Sequence, residues 1–286
     1  FPFSRSGFTG VREYTVNATT DVYDSVEVTE HVPRYVPSNL IDFAGSTNED
    51  ILALVSGDDV GTIYLYKYFF SGNKKILSSW FKFTMDGDIR GIEFIESVLY
   101  IVLTKNSETH LVKLPLTSGL AESASADYTT YLDMRVAKTV TAGSNTINLS
   151  GDFTPDTNAV QVYTKDGLRL NCTNSGATVT LAQAVTANTD VWVGIPYTMK
   201  YTFSEMIFKA SAGQGKTPSA AAKLKIRNGA LFFDKTSYFE VEVTPKQRTT
   251  YVNTFTPDIV GSTIIGQLYL DSGHYRFPVF SNAEDT

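Results

Sequence analysis

"LIDFAGSTNEDILALVSGDDVGTIYLYKY", residues 40–68, sets the fold class. An alternating apolar run is followed by a polar turn, the fully apolar "ILALVS", a second polar turn, and the alternating "TIYLYKY". Short runs of this kind between polar turns read as strands of an antiparallel meander. A second stretch, "GIEFIESVLYIVLTKNSETHLVKL" at 91–114, repeats the order. Ile51 and Val98 take equivalent places, as do Ile63 and Leu111, giving a period of 47 to 48 residues. That period falls among the repeats of about 40–50 residues typical of β-propeller blades. In a blade the fully apolar strand is expected to be buried on both faces. Two copies do not close a ring, and a plain antiparallel sandwich produces the same pattern.

Composition agrees with sheet. The chain has 286 residues, 42% of them hydrophobic, which is too apolar for disorder. Its 18 Phe and 16 Tyr against 4 Met suit pleated, half-buried surfaces. Net charge is −6, and the nearest approach to a basic run is "GNKK" at 72–75. A protein that grips nucleic acid by its phosphates carries a concentrated basic patch. This balance suits a surface that DNA passes without sticking. The single cysteine, Cys172, excludes an intramolecular disulfide and a cysteine-based structural zinc site. No stretch nears the roughly 18 apolar residues of a membrane helix, so no membrane anchor is expected. The opening "FPFSRSGFTG" is no signal peptide, and the abrupt ends are those expected of a fragment.

From about Val136 the texture changes to Thr, Asn, Ala and Val with closely spaced turn signals ("GSN", "SGD", "KDG", "NSG"). Large aromatics return from Tyr197. The expected fold is all-β, in three parts. Propeller-like blades occupy 1–125, an inserted small β-sandwich or barrel module 126–196 with "AESASADYTT" (121–130) as its leading linker, and a further sandwich-like β domain, truncated at its C-terminus, 197–286.

Each motif with a chemical outline has a plainer reading. "GQGK" followed by Thr217 has the outline of a phosphate-binding loop, but the position of its first glycine is Ala210 and no βα context surrounds it. A surface loop is preferred. The acidic clusters "GDD" (57–59) and "DGD" (86–88) lie where Asp and Gly make tight turns, and no second cluster follows at calcium-loop spacing. His31, His110 and His274 are far apart; His110 falls on a strand and His274 in the turn "DSGHY". No G-x-S-x-G elbow is present. The rigid "EHVPRYVPSN" (30–39) reads as a proline strap and not an active-site loop. Tyr64, Tyr66 and Tyr68 alternate on one strand face, as a packing surface in preference to a row that stacks sugars. Trp80 and Phe94 are expected in blade cores. No catalytic, cofactor-binding or metal-binding residue is assigned, no cofactor is expected, and the chain is not read as an enzyme.

Several long strings carry a resemblance across nearly the whole chain. "RSGFTGVREY" (5–14), "NATTDVYDSVEVTEHVPRYVP" (17–37), "YTMKYTFSE" (197–205), "AAAKLKIRNGALFF" (220–233), "YFEVEVTP" (238–245) and "GHYRFPVFSNAEDT" (273–286) resemble the tail tubular protein B, or nozzle, family of short-tailed bacteriophages. The likeness is weakest at about 136–196. It implies a propeller-like fold with added β domains and membership of a hexameric ring beneath the gatekeeper, tail tubular protein A. It further implies support of the tail fibres, continuation and gating of the DNA ejection channel without sequence-specific DNA binding, and a place in the virion tail after assembly in the host cytoplasm. It carries no catalytic residue across. The competing reading is a tail protein that binds or degrades host-surface polysaccharide. A third is a generic adhesin, suggested by the module at 136–196.

Overall fold

A computed structural model describes residues 1–17, 22–72, 74–116, 130–203, 209–212, 215–218, 225–245, 248–257 and 269–282. Every strand pair among them is antiparallel, and no helix occurs among them. The chain divides into two compact units, Phe1–Leu120 and Ala121–Thr286.

The first unit opens with β1 (Pro2–Arg5), β2 (Phe8–Asn17) and β3 (Val22–Glu27), hydrogen-bonded in that order. The first meander follows as β4 (Leu40–Ser46), β5 (Ile51–Ser56), β6 (Asp59–Ser71) and β7 (Lys74–Thr84). The second is β8 (Asp88–Ile95), β9 (Val98–Lys105) and β10 (Glu108–Pro115). Period-2 alternation gives each strand two faces. On β5 both are apolar: Ile51, Ala53 and Val55 join one core, whereas Leu52 and Leu54 join another. The first core also takes Ile63 and Leu65 of β6 and Ile89, Ile92, Leu99, Ile101 and Leu103 of the second meander. The other holds Val11, Val28, Val36, Tyr64 and Tyr66.

The repeat survives at the level of register. Val55 pairs with Ile63, and their counterparts Val102 and Leu111 pair with each other. Both meanders also carry a β-bulge at the same place: the β4–β5 register shifts between Leu40 and Asp42, and the β8–β9 register between Ile89 and Gly91. A bulge bends its strand and sharpens the twist. Its recurrence shows two copies of one bent strand unit, not two runs of similar composition.

In the second unit, β11 (Asp133–Val140), β12 (Thr146–Asn148), β13 (Gln161–Thr164), β14 (Arg169–Leu170), β15 (Cys172–Ser175), β16 (Thr178–Leu181) and β17 (Thr189–Ile195) build two sheets, ordered β11-β17-β13-β14 and β12-β16-β15. Together they enclose Val140, Ile147, Leu149, Phe153, Val162, Val179, Val191 and Val193. Buried Asn174 is satisfied there, accepting from the Val160 N–H at 3.2 Å and donating to the Asp156 carbonyl at 2.8 Å, so its polar amide adds no unpaired group. The remaining strands are β18 (Lys209–Ala212), β19 (Gly215–Pro218), β20 (Lys225–Thr236), β21 (Phe239–Val243), β22 (Tyr251–Phe255) and β23 (Asp271–Asn282), paired as β18-β19, β20-β23 and β21-β22. Phe233, Phe239, Phe255 and Tyr275 pack ring against ring, with centroids 4.5 to 5.7 Å apart, inside the favourable range for aromatic pairs.

Two expectations meet corrections. The "VLYIVL" strand is fully covered on one face only among the described residues: Leu99, Ile101 and Leu103 are buried, whereas on the other face Val98 and Tyr100 are half-buried and Val102 is 36% exposed. His274 is not in a turn; it lies within β23 opposite Phe232, because β20 supplies a ladder for "DSGHY" from far away in sequence. The first meander has a fourth strand, β7, outside the repeated unit. The linker at 121–130 lies almost wholly outside the described residues.

Candidate assembly interface

The two meanders meet through non-equivalent faces. Counting from Ile51 to Val98, the counterparts of Ile51, Ala53 and Val55 on β9 are Val98, Tyr100 and Val102. Yet the β9 residues that enter the shared core are Leu99, Ile101 and Leu103. Those correspond to the opposite side of β5, the side of Leu52 and Leu54. A two-fold sandwich would bring like faces together, whereas a head-to-tail contact leaves two different faces at the ends of the stack.

At one end the face of Leu52, Leu54, Tyr64 and Tyr66 is covered by Val11, Val28 and Val36. At the other, the outer face of β8-β9-β10 carries Ile95, Val98, Tyr100, Val102 and Leu111, with Leu111 72% exposed, and Glu93 and Lys113 flank Tyr100 on the same face. This is the counterpart of a surface that is buried in the first copy. Exposed apolar side chains grouped on one face in this way mark a candidate interaction surface.

Strands β4 and β8 run side by side in the same direction. The Ile92 N–H donates to the Asp42 carboxylate at 2.8 Å, and the Ser46 hydroxyl donates to the Glu96 carbonyl at 3.0 Å. Each contact joins residues fifty apart, so the two edges stay level along their length.

The proline strap is stapled at several points. The Thr9 N–H donates to the Val36 carbonyl at 3.0 Å, and the Thr9 hydroxyl to the Pro37 carbonyl at 2.7 Å. Val36 is fully buried, the Tyr35 ring lies edge-on to Tyr64 at 5.6 Å, and the Arg34 guanidinium sits over Phe8 at 5.7 Å. His31 is exposed in the turn that precedes these contacts. The strap therefore clamps the N-terminal strands to the first meander.

The tyrosine row is a packing surface. Tyr64 and Tyr66 are buried, the Tyr64 hydroxyl donates to Asp59 at 2.6 Å, and burial with that carboxylate beside it pushes the Tyr64 phenol well above its ordinary range. Burial also opposes the charge on Lys75, but hydrogen bonds to Glu13 and Tyr66 outweigh it and raise the Lys75 pKa. Trp80 is half-buried against Tyr35 and Tyr66 and donates its indole N–H to the Val28 carbonyl at 2.9 Å. Phe94 is half-buried against the core between the meanders.

Acidic turn residues are engaged within the chain. Asp58 accepts from Ser38, Asp59 from Thr62 and Tyr64, Asp86 pairs with Lys105, and Asp88 pairs with Arg90. Among the described residues no three His, Cys, Asp or Glu side chains cluster as metal ligands. No helix there is long and apolar enough to cross a membrane. His110 lies on β10 beside Glu108 at 3.5 Å, and His31, His110 and His274 fall on separate elements. Lys216 and Thr217 sit on β19 of a two-stranded antiparallel pair, not at a helix start, while Gly213 and Gln214 fall outside the described residues. Burial raises the pKa of Cys172, whose thiol donates toward the Val160 carbonyl at 3.5 Å; thiolate chemistry needs the opposite shift.

Comparison with known proteins settles the family. The model of the bacteriophage nozzle proteins matches residues 1–286. The chain belongs to the bacteriophage nozzle protein family. It is 25% identical to tail tubular protein gp12 of Escherichia phage T7 over an alignment of 307 positions that takes in 99% of this chain and 38% of that protein. The chain thus spans well under half the length of that curated relative. Membership places it with the structural proteins of the phage tail. Sequence reasoning found the two-copy repeat but not the open face, which needs the relative phase of paired strands.

Proposed function

We propose that this chain is the assembly-bearing part of a nozzle subunit in the virion tail, whose β units form the wall of the DNA ejection channel. The observation that carries the proposal is the head-to-tail stacking of the two meanders, with an apolar face left open among the described residues beside Ile95, Val102 and Leu111. Head-to-tail stacking adds units in one direction, here at the β8-β9-β10 face, since Val11, Val28 and Val36 cover the other end, and contacts of this kind close into a ring where the rotation permits. It supports a propeller-like arrangement in which β4–β7 and β8–β10 are successive blades. The three-part organisation at 1–125, 126–196 and 197–286 accompanies this reading.

In this account six copies form a ring beneath the gatekeeper, tail tubular protein A, and the ring narrows the channel, gates it and supports the tail fibres. DNA passes without sequence-specific contacts, as a net charge of −6 favours. The subunit works by assembly and conduction and not by catalysis. Negative-stain micrographs of the intact protein test the proposal: rings with six-fold symmetry around an open channel are expected, and a monomer at every concentration would overturn it.

A further inference from the structure

We infer that the projecting end of the β6–β7 ribbon docks onto a second copy of this chain. Strand β5 pairs with β6 as far as Ile51 opposite Lys67, but β6 and β7 stay paired to Ser71 opposite Lys74. Past Lys67 the ribbon is two-stranded, a form that is marginal unless a face is packed. One face is. The Tyr66, Tyr68 and Phe70 rings touch in sequence, the last pair edge to face, and Lys75 lies over Tyr66 and Phe70 while paired with Glu13 of β2. The other is not. Phe69 and Leu77 oppose each other directly and are 52% and 67% exposed, and the bulged Ile76 beside them is 54% exposed.

Charge selects the occupant. From Val60 to Met85 there are four lysines (Lys67, Lys74, Lys75 and Lys82) and no Asp or Glu. The β6–β7 ribbon, Asp59–Thr84, adds one acid, Asp59, so it carries +3, and the rest of the chain −9, in a total of −6. A projecting apolar tip bordered by lysine complements a surface that is acidic overall, and another copy provides one. Nucleic acid fits less well, because tight phosphate binding needs several free cations together, and Lys75 is already held by Glu13. The lysines also protect β7, which is an edge strand of its sheet, from indiscriminate strand pairing. The inference rests on the ring-forming reading above and adds the element through which copies touch.

The test compares the intact wild-type protein with Phe69→Asp/Leu77→Asp and, separately, Lys67→Glu, by sedimentation velocity and negative stain. Circular dichroism melts confirm folding, and Phe69→Ser/Leu77→Ser substitutes if the Asp pair fails to fold. Wild-type rings, with self-association of the double variant weakened at least about thirtyfold, are expected for loss of two central contact residues. Lys67→Glu should weaken association less and make it less sensitive to salt. Variants that assemble like wild type would overturn this inference and leave the ring-forming reading standing, whereas a wild type without rings would overturn both. Unchanged self-association with lost binding to anionic lipid vesicles or duplex DNA would also overturn it.

Discussion

The Asp42 carboxylate on β4 accepts a hydrogen bond from the Ile92 N–H on β8 at 2.8 Å, tying together two β-bulged strands fifty residues apart. A bulge disrupts its own ladder, leaving backbone groups that need other partners. Here the bulged edge of one meander serves the bulged edge of the next.

Removing this acceptor should therefore loosen the joint between the meanders. Asp42→Ala is expected to cost about 1–3 kcal/mol, the usual loss for a hydrogen bond to a charged group at a partly buried site. Asp42→Asn, which keeps a carbonyl oxygen, should cost less. Urea denaturation of the two variants gives the comparison, and equal losses would show that the acceptor is not what matters.

Neighbouring residues on β9 should behave oppositely. Ile101 is 1% exposed in the core between the meanders, so Ile101→Ala should destabilise by about 2–4 kcal/mol. Val102 lies on the open face, and Val102→Ala should stay within about 0.5 kcal/mol in the chain alone. Thermal melts that ranked the two alike would contradict the assignment of faces.

How far the sequence disclosed this arrangement depends on the range of the interaction. Apolar alternation and turn residues are local, so "ILALVS" and "VLYIVL" announce matching strands, and the proline strap announces its rigidity. The phase between copies is different in kind. Equivalent residues Val55 and Val102 face a core and an open surface respectively, because burial depends on what packs against each sheet and not on the strand's own pattern. His274 departs from its expected turn for a similar reason: the Asp-Ser-Gly turn signal is local, but the pairing of β20 with β23 is not. In the second unit the order β11-β17-β13-β14 likewise joins strands distant in sequence. The absence of a marked catalytic constellation in the sequence left the function to the family resemblance and to surfaces.

Gly194 on β17 marks a close approach of backbones. A Cβ there would meet the Asp133 carbonyl oxygen and the Leu132 Cβ, each at 2.8 Å, beside the register shift between Asp133 and Val136. Gly194→Ala should push β11 away from β17 and cost about 1–3 kcal/mol through overpacking. Hydrogen exchange should show the loss as faster exchange at Val136–Val140, and unchanged protection there would refute it.

Acid should weaken this region through Asp190. Hydrogen bonds from Thr139 and Lys165 hold its carboxyl below the usual aspartate range. A carboxylate whose folded pKa is depressed contributes stability that is complete above the unfolded value. That contribution is lost as pH falls through the folded value. Melts of wild type and Asp190→Asn should therefore differ at neutral pH and converge in the acid range below about pH 4, near the unfolded aspartate value and under it. A difference that grew with acidity would reverse the sign and refute the assignment.

The most direct measurement is a density map of the assembled tail that resolves individual strands. The account predicts that the β8-β9-β10 face carrying Val98, Tyr100, Val102 and Leu111 lies packed against another β-sheet in the tube wall. Finding that face in solvent, or these strands outside the tube, would contradict it.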